Sequence, residues 1–241
     1  MLNSDGFDLW ADGYDRSVQV SDEQNTYPFA GYKQVLGTIY SAVREMDARR
    51  VLDIGFGTGI LTTRLYRDGC HITGIDFSER MIQIARSKMP DAVLIRHDFT
   101  AGLPHRLERE IFDAIICTYA IHHLPDAQKA PFLSQLQAHL APGGSIFLGD
   151  VAFPSRSDLD SCRRNSGDEW DDEEFYLVAD EMIPFFPGAR FEPISFCSGI
   201  LTIPRLCPPS HFVFPPRIAL SVPPRDKLLF GELCPDYLSL P

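Results

Sequence analysis

The sequence has no long lysine or arginine run, and its charge leans the other way. There are 22 basic and 33 acidic residues, a net charge of −11 at pH 7. A polyanion requires a basic face, so nucleic acid is excluded as an expected partner. No apolar stretch approaches the ~20 residues that span a bilayer, so no membrane association is expected. Residues 1–10 are polar and acidic, unlike a secretory signal. Cys70, Cys117, Cys162, Cys197, Cys207 and Cys234 are scattered, with no C-x-x-C pair. That spacing excludes the common zinc and redox motifs, and no metal site is expected. Cys70, Cys117 and Cys197 lie in or beside apolar runs and read as small core residues. A reducing cytoplasm is the expected location.

What the chain does have is core-forming material, 44% apolar in 241 residues, enough for one domain with appendages. Residues 1–48 lack strand alternation, and Tyr32, Val35, Leu36, Ile39, Tyr40 and Val43 repeat at helical spacing, which predicts an N-terminal helical cap. Strands and helices then alternate. Strands are predicted over 51–54, 71–75, 92–96, 112–118 and 145–151. Helices are predicted over 60–68, 78–88 and 129–140, with Ser78 as an N-cap and Pro142-Gly143-Gly144 ending the last of them. This rhythm implies an α/β fold with a doubly wound, mostly parallel, seven-stranded sheet. Segment 155–187 reads as a lid-like insert. Its acidic run, 168–174, suits the solvated start of a helix continuing through Ile183. Segments 191–196 and 200–203 read as an antiparallel edge hairpin turning at Ser198-Gly199. The main domain is thus expected to run from 49 to 203. A tail, 204–241, carries paired prolines that exclude regular helix and central strand.

Chemistry concentrates in Asp53-Ile54-Gly55-Phe56-Gly57-Thr58-Gly59. A buried strand breaks into three alternate glycines and a helix follows. Such a loop lets a ligand approach bare backbone, at the carboxyl edge where open α/β sheets bind ligands. The G-x-G-x-G spacing departs from the dinucleotide fingerprint G-x-G-x-x-G. Asp76 follows the second predicted strand. A carboxylate there can accept hydrogen bonds from both hydroxyls of a ribose.

With Gly74-Ile75-Asp76, His97-Asp98-Phe99, Tyr119-Ala120-Ile121-His122-His123-Leu124 and Leu140-Ala141-Pro142-Gly143-Gly144 added in order, residues 10–203 resemble the class I S-adenosylmethionine-dependent methyltransferases. They are most similar to small bacterial members opening with Trp-Ala-x-x-Tyr-Asp, here Trp10 to Asp15. The resemblance implies S-adenosyl-L-methionine as cofactor and methyl transfer to a small-molecule O, N, S or C nucleophile. Gly55, Gly57 and Gly59 would approach the cofactor, Asp53 would order the loop and methionine end, and Asp76 would hold the ribose. Asp98 would bond the adenine amine, with Phe99, Phe77 and Met81 beside the ring. Tyr14 and Tyr32 would close on the methionine end, and Tyr119 would line the cofactor pocket where the acceptor faces the donor methyl. His123 and His122 are the candidate proton acceptors, with Tyr14 beside them, since transfer from a sulfonium needs alignment and at most a base.

Several related chemistries lack their marks. No Asn/Asp-Pro-Pro-Tyr/Phe segment, Pro-Cys nucleophile or Cys-x-x-x-Cys-x-x-Cys run is present. A non-catalytic cofactor-binding subunit remains an alternative, with a NAD-dependent dehydrogenase behind it. The molecule is expected to be a monomer or homodimer.

Overall fold

Eight strands form in a computed structural model that describes Val18 and residues 21–205. In chain order the elements are helix α1 (Tyr32–Glu45), β1 (Arg50–Ile54), α2 (Ile60–Arg67), β2 (His71–Asp76), α3 (Glu79–Lys88), β3 (Val93–Arg96) and β4 (Phe112–Thr118). There follow α4 (Asp126–Ala138), β5 (Leu140–Phe153), α5 (Arg156–Ser166), β6 (Leu177–Val178), α6 (Ala179–Met182), β7 (Arg190–Pro193) and β8 (Ser198–Pro204). The sheet order is β3-β2-β1-β4-β5-β8-β7, with β6 beside β5 off this path. Strands β1 to β6 pair in parallel, and β8 runs antiparallel to both β5 and β7. The eighth strand relative to the seven expected is β6, two residues long and short of any periodic signal.

Central strands alternate between two packed layers, as a two-residue side-chain period requires. Val51, Ala114, Ile116 and Phe147 join the layer of α1, α2 and α3, with Val35, Ile39, Leu61, Leu65 and Ile82. Leu52, Ile54, Ile115, Cys117 and Leu148 face Phe132, Leu133 and Leu136 of α4. Both faces are covered, which is why these strands read as continuous apolar runs. Helix α1 packs tightly because Gly149 of β5 has no side chain: a Cβ there would lie 2.4 Å from Val35 Cγ1. Ser78 caps α3 as expected, its Oγ accepting from Met81 N at 3.1 Å with Glu79 in the first turn.

Four expectations need correction. Helix α4 starts at Asp126 rather than Lys129 and ends at Ala138. Pro142-Gly143-Gly144 lies within β5, as a bulge between the pairs Phe112 with Leu140 and Ala114 with Ser145. Gly143, at φ +80°, supplies a backbone conformation that side-chain-bearing residues avoid. Ser198-Gly199 belongs to β8, paired with Val151 and Asp150, and the hairpin turns over 194–197 instead. The 155–187 segment holds two helices, α5, which starts before the acidic run on a Ser155–Asp158 capping box, and the four-residue α6 after it. The acidic run holds the end of a 3₁₀ turn, Gly167–Glu169, and a further turn at 172–173 before β6. Asp171, Asp172 and Glu173 are exposed, but the run also carries Trp170 onto the core layer.

Strand order reverses between β1 and β4: β2 and β3 lie to one side, β5 and its neighbours to the other. The carboxyl ends of β1, β2 and β4 therefore open a crevice at the switch point. The Trp10–Asp15 segment, Tyr14 and the 206–241 tail lie outside the described residues.

Candidate active site

A cleft of about 720 Å³, its open mouth included, lies at that crevice. The turn after β1 forms its floor. Gly55, Gly57 and Gly59 have φ of +67°, +56° and +75°. Gly55 N donates to Ile75 O at 2.8 Å, and Gly59 N to Phe56 O at 2.9 Å. At Gly55 even a methyl group is excluded, since a Cβ would sit 2.5 Å from Ala120 Cβ. At Gly57 the space is open, so bare backbone faces the cleft. Gly59 is not part of the lining; it is the residue from which α2 starts, packed against Met89 and Ala85. Gly74 has a related use, because a Cβ there would lie 2.6 Å from Phe56, another lining residue.

Two carboxylates reach the cleft. Asp76 closes β2, and its oxygens are fixed separately: Oδ2 accepts from Gly57 N at 2.8 Å and Oδ1 from Ser78 N at 2.9 Å. A carboxylate oxygen can accept more than one hydrogen bond. Asp53 is buried beneath the loop. Its Oδ2 accepts from Thr62 Oγ1, and its Oδ1 has no hydrogen-bond partner among the described residues. Burial pushes the Asp53 carboxyl up to about 7, with Thr62 opposing and Asp76 adding to the rise. A cationic group arriving in the cleft would reverse that shift.

Phe77, Met81 and Phe99 form an apolar wall, with Phe99 held 5.6 Å from the ring of Phe132. Tyr32 from α1 and Tyr119 after β4 make the other wall, their rings 4.9 Å apart, with Phe29 5.5 Å from Tyr119. Tyr119 has φ +50°, a strained conformation for a side-chain-bearing residue. Asp98, by contrast, is exposed and does not line the cleft. Its Oδ1 accepts from Thr100 N at 2.9 Å and Thr100 Oγ1 at 2.7 Å, capping the short 3₁₀ turn that carries Phe99.

The histidine pair divides. His123 lines the cleft, and burial together with neighbouring His122 pushes its imidazole down to about 3. His122 is turned away and buried. Its Nδ1 lies 2.7 Å from Asp150 Oδ1, and its Nε2 3.5 Å from Glu174 Oε1. Burial opposes a charge on His122, but Asp150, through charge and hydrogen bond, and then Glu174 raise its pKa overall. Asp150 is wholly buried. It also accepts from Ala120 N at 3.1 Å, Ile121 N at 3.0 Å and Val151 N at 2.7 Å, and so shapes the turn that holds both histidines.

Sequence reasoning missed Asp150 and Glu174. The signal for Asp150 was one carboxylate in an otherwise apolar strand; Glu174 was hidden in a run that looked solvated. Donor atoms of His122, His123 and Glu174 lie within 4.8 Å of one another, a grouping that spacing along the chain did not show. The insert brings Glu174 there, since Phe175 N donates to His122 O at 2.8 Å. Tyr176 is held in a ring cluster with Tyr27 and Trp170. A second cleft, of about 820 Å³, opens beside Arg50, His71 and Val93 at the opposite edge and contains none of the candidate residues.

Residues 51–144 match a family of methyltransferase domains. An uncharacterized methyltransferase of Geobacillus kaustophilus is 37% identical over 195 residues, 78% of this chain and 87% of the relative. A second, from Geobacillus thermodenitrificans, is 36% identical over 200 residues, 80% of this chain and 89% of the relative. Among solved structures, magnesium protoporphyrin IX methyltransferase from Synechocystis with bound S-adenosylhomocysteine superposes with a TM-score of 0.58 at 18% identity, covering 74% of this chain and 85% of that one. A DhpI complex with S-adenosylmethionine gives 0.58 at 18%, covering 81% and 92%. These two share the fold.

Proposed function

The chain belongs to the class I S-adenosylmethionine-dependent methyltransferases, and from that premise we propose that it moves the sulfonium methyl of S-adenosylmethionine to a small-molecule O, N, S or C nucleophile. The single observation that carries this reading is Asp76, a buried carboxylate on the cleft wall whose oxygens are each set by a backbone N–H. It suits the two hydroxyls of the donor ribose. The adenine then lies among Phe77, Met81 and Phe99. The methionine end lies over Gly55 and Gly57, with its ammonium toward Asp53. Asp98 acts through Phe99 and Gly59 through α2, rather than by touching the donor.

The methyl would face Tyr32, Tyr119 and His123. Displacement at that carbon needs the nucleophile held in line within about 3–3.5 Å, and these walls supply the confinement. His123 is the histidine that meets the acceptor, and His122 is a positioning residue held by Asp150. The charge of −11 argues against a nucleic-acid acceptor. Cys70, Cys117, Cys162 and Cys197 are buried free thiols, which fits a reducing cytoplasm. We take residues 1–48 as a cap on a domain spanning 49–203.

Calorimetry with S-adenosylmethionine and S-adenosylhomocysteine tests the reading. Wild type should bind both. Asp76→Ala should lose about 1–3 kcal/mol of paired acceptor, roughly 5- to 150-fold in Kd. Unchanged affinity in the variant overturns the ribose assignment. Methyl uptake from radiolabelled donor into a metabolite panel, with none into RNA, tests the acceptor class.

A further inference from the structure

We propose that His122, His123 and Glu174 form a binding site for one divalent transition-metal ion, with Asp150 as the carboxylate that orients His122. Two imidazoles and a carboxylate suit zinc and its first-row neighbours. The three donor atoms lie within 4.8 Å of one another, on residues from two separate parts of the chain. The 3.5 Å between His122 Nε2 and Glu174 Oε1 is long for a hydrogen bond. It is near the spread of two ligands on one tetrahedral ion: with bonds of about 2.0–2.1 Å they stand roughly 3.4 Å apart.

The surroundings are those of a metal ligand. His122 Nδ1–H donates to Asp150 Oδ1 at 2.7 Å, which leaves Nε2, beside Glu174 Oε1, as the nitrogen that would meet the ion. Carboxylate–histidine–metal chains have this form. Asp150 is itself fixed by three backbone N–H groups, so the ring cannot turn freely. Two carboxylates converge on one imidazole, and a cation between Nε2 and Oε1 neutralises them. Lys129 also faces this turn, but it is engaged elsewhere, donating to Leu124 O at 2.8 Å and Asp126 Oδ1 at 2.7 Å. Glu174 reaches the site through the insert, held by the Phe175–His122 backbone bond. His123 belongs to the cleft wall, so an ion held by it would lie beside the cleft. An acceptor offering an oxygen or nitrogen ligand suits an ion there.

The test uses the full chain, stripped with chelator, and reads metal binding without turnover. Titration with Zn²⁺, and with Co²⁺ followed by visible absorption, should show one site of tetrahedral or five-coordinate character and a metal-dependent rise in Tm. Glu174→Gln should weaken Zn²⁺ binding at least tenfold and abolish the rise in Tm, with its fold verified by circular dichroism. His123→Ala is the second variant, and should weaken binding likewise. Asp150→Asn should cost about 10- to 100-fold, the usual range for such a supporting carboxylate. A wild type that binds neither ion, or binding unchanged in both Glu174→Gln and His123→Ala, overturns the proposal. Donor calorimetry in excess chelator tests the cofactor reading alone, so the two proposals fail separately.

Discussion

Asp53 titrates inside the protein. Its folded pKa stands near 7, against an ordinary value of 3.8. The folded state therefore holds a proton that the unfolded chain releases. The stability from that proton is full below the unfolded pKa and is lost as pH rises through 7. The ceiling is about 4 kcal/mol, three units at about 1.4 each. Asp53→Asn should therefore flatten the stability profile between about pH 4 and 7, read by urea unfolding across pH. A wild-type profile that rises over this window rejects the assignment. Gly55 makes a sterically sharper prediction. An alanine there meets Ala120 at 2.5 Å and must adopt φ +67°. Gly55→Ala should lose about 1–3 kcal/mol of stability and weaken donor binding, whereas Gly57→Ala, with no protein atom to meet, should lose only the φ penalty in stability while its Cβ weakens donor binding. Thermal unfolding of the two side by side separates clash from conformation.

At the level of elements, α3 links the sheet edge to the cleft, since its N-cap follows Asp76 by two residues and Met81 lies in its first turn. Ser78→Ala removes the acceptor of Met81 N, and should cost about 1 kcal/mol together with a rise in donor Kd. A stability loss with unchanged Kd would show that the cap does not position the apolar wall. The same elements show what could be read from the chain. The β-α-β rhythm through Thr118 was legible because buried parallel strands are continuous apolar runs and the helices carry a 3.6-residue stripe. Gly143 and Ser198-Gly199 misled because glycine marks a bulge or a close approach as readily as a turn. Gly199 is needed in β8 since a Cβ would lie 2.3 Å from the ring of Phe191. In the candidate site, Asp53, Gly55, Gly57 and Asp76 were legible because they sit at strand ends in sequence order. The Asp150–His122–Glu174 chain was not, since β5, the post-β4 turn and the insert meet only after folding.

Across the whole molecule, charge makes a prediction that no single residue makes. The chain carries −11, and two of its carboxylates, Asp53 and Asp76, lie near the proposed ligand. S-adenosylmethionine has a sulfonium, an ammonium and a carboxylate, a net charge of about +1 at neutral pH, since amines and carboxylates are both ionised there. The demethylated product keeps the ammonium and carboxylate but loses the sulfonium, and is neutral overall. The long-range field therefore favours donor over product, and that part of the preference must be screenable. Raising ionic strength from about 0.01 M to about 0.15 M shortens the Debye length from roughly 30 Å to 8 Å. The Kd for S-adenosylmethionine should then rise by more than the Kd for S-adenosylhomocysteine, while a neutral adenosine fragment should barely respond. Product release and donor capture would thus be separated by the molecule's own charge. Calorimetry with the three ligands at the two ionic strengths decides it: equal salt slopes for donor and product would mean that only short-range contacts discriminate, with the acidic surface serving solubility alone.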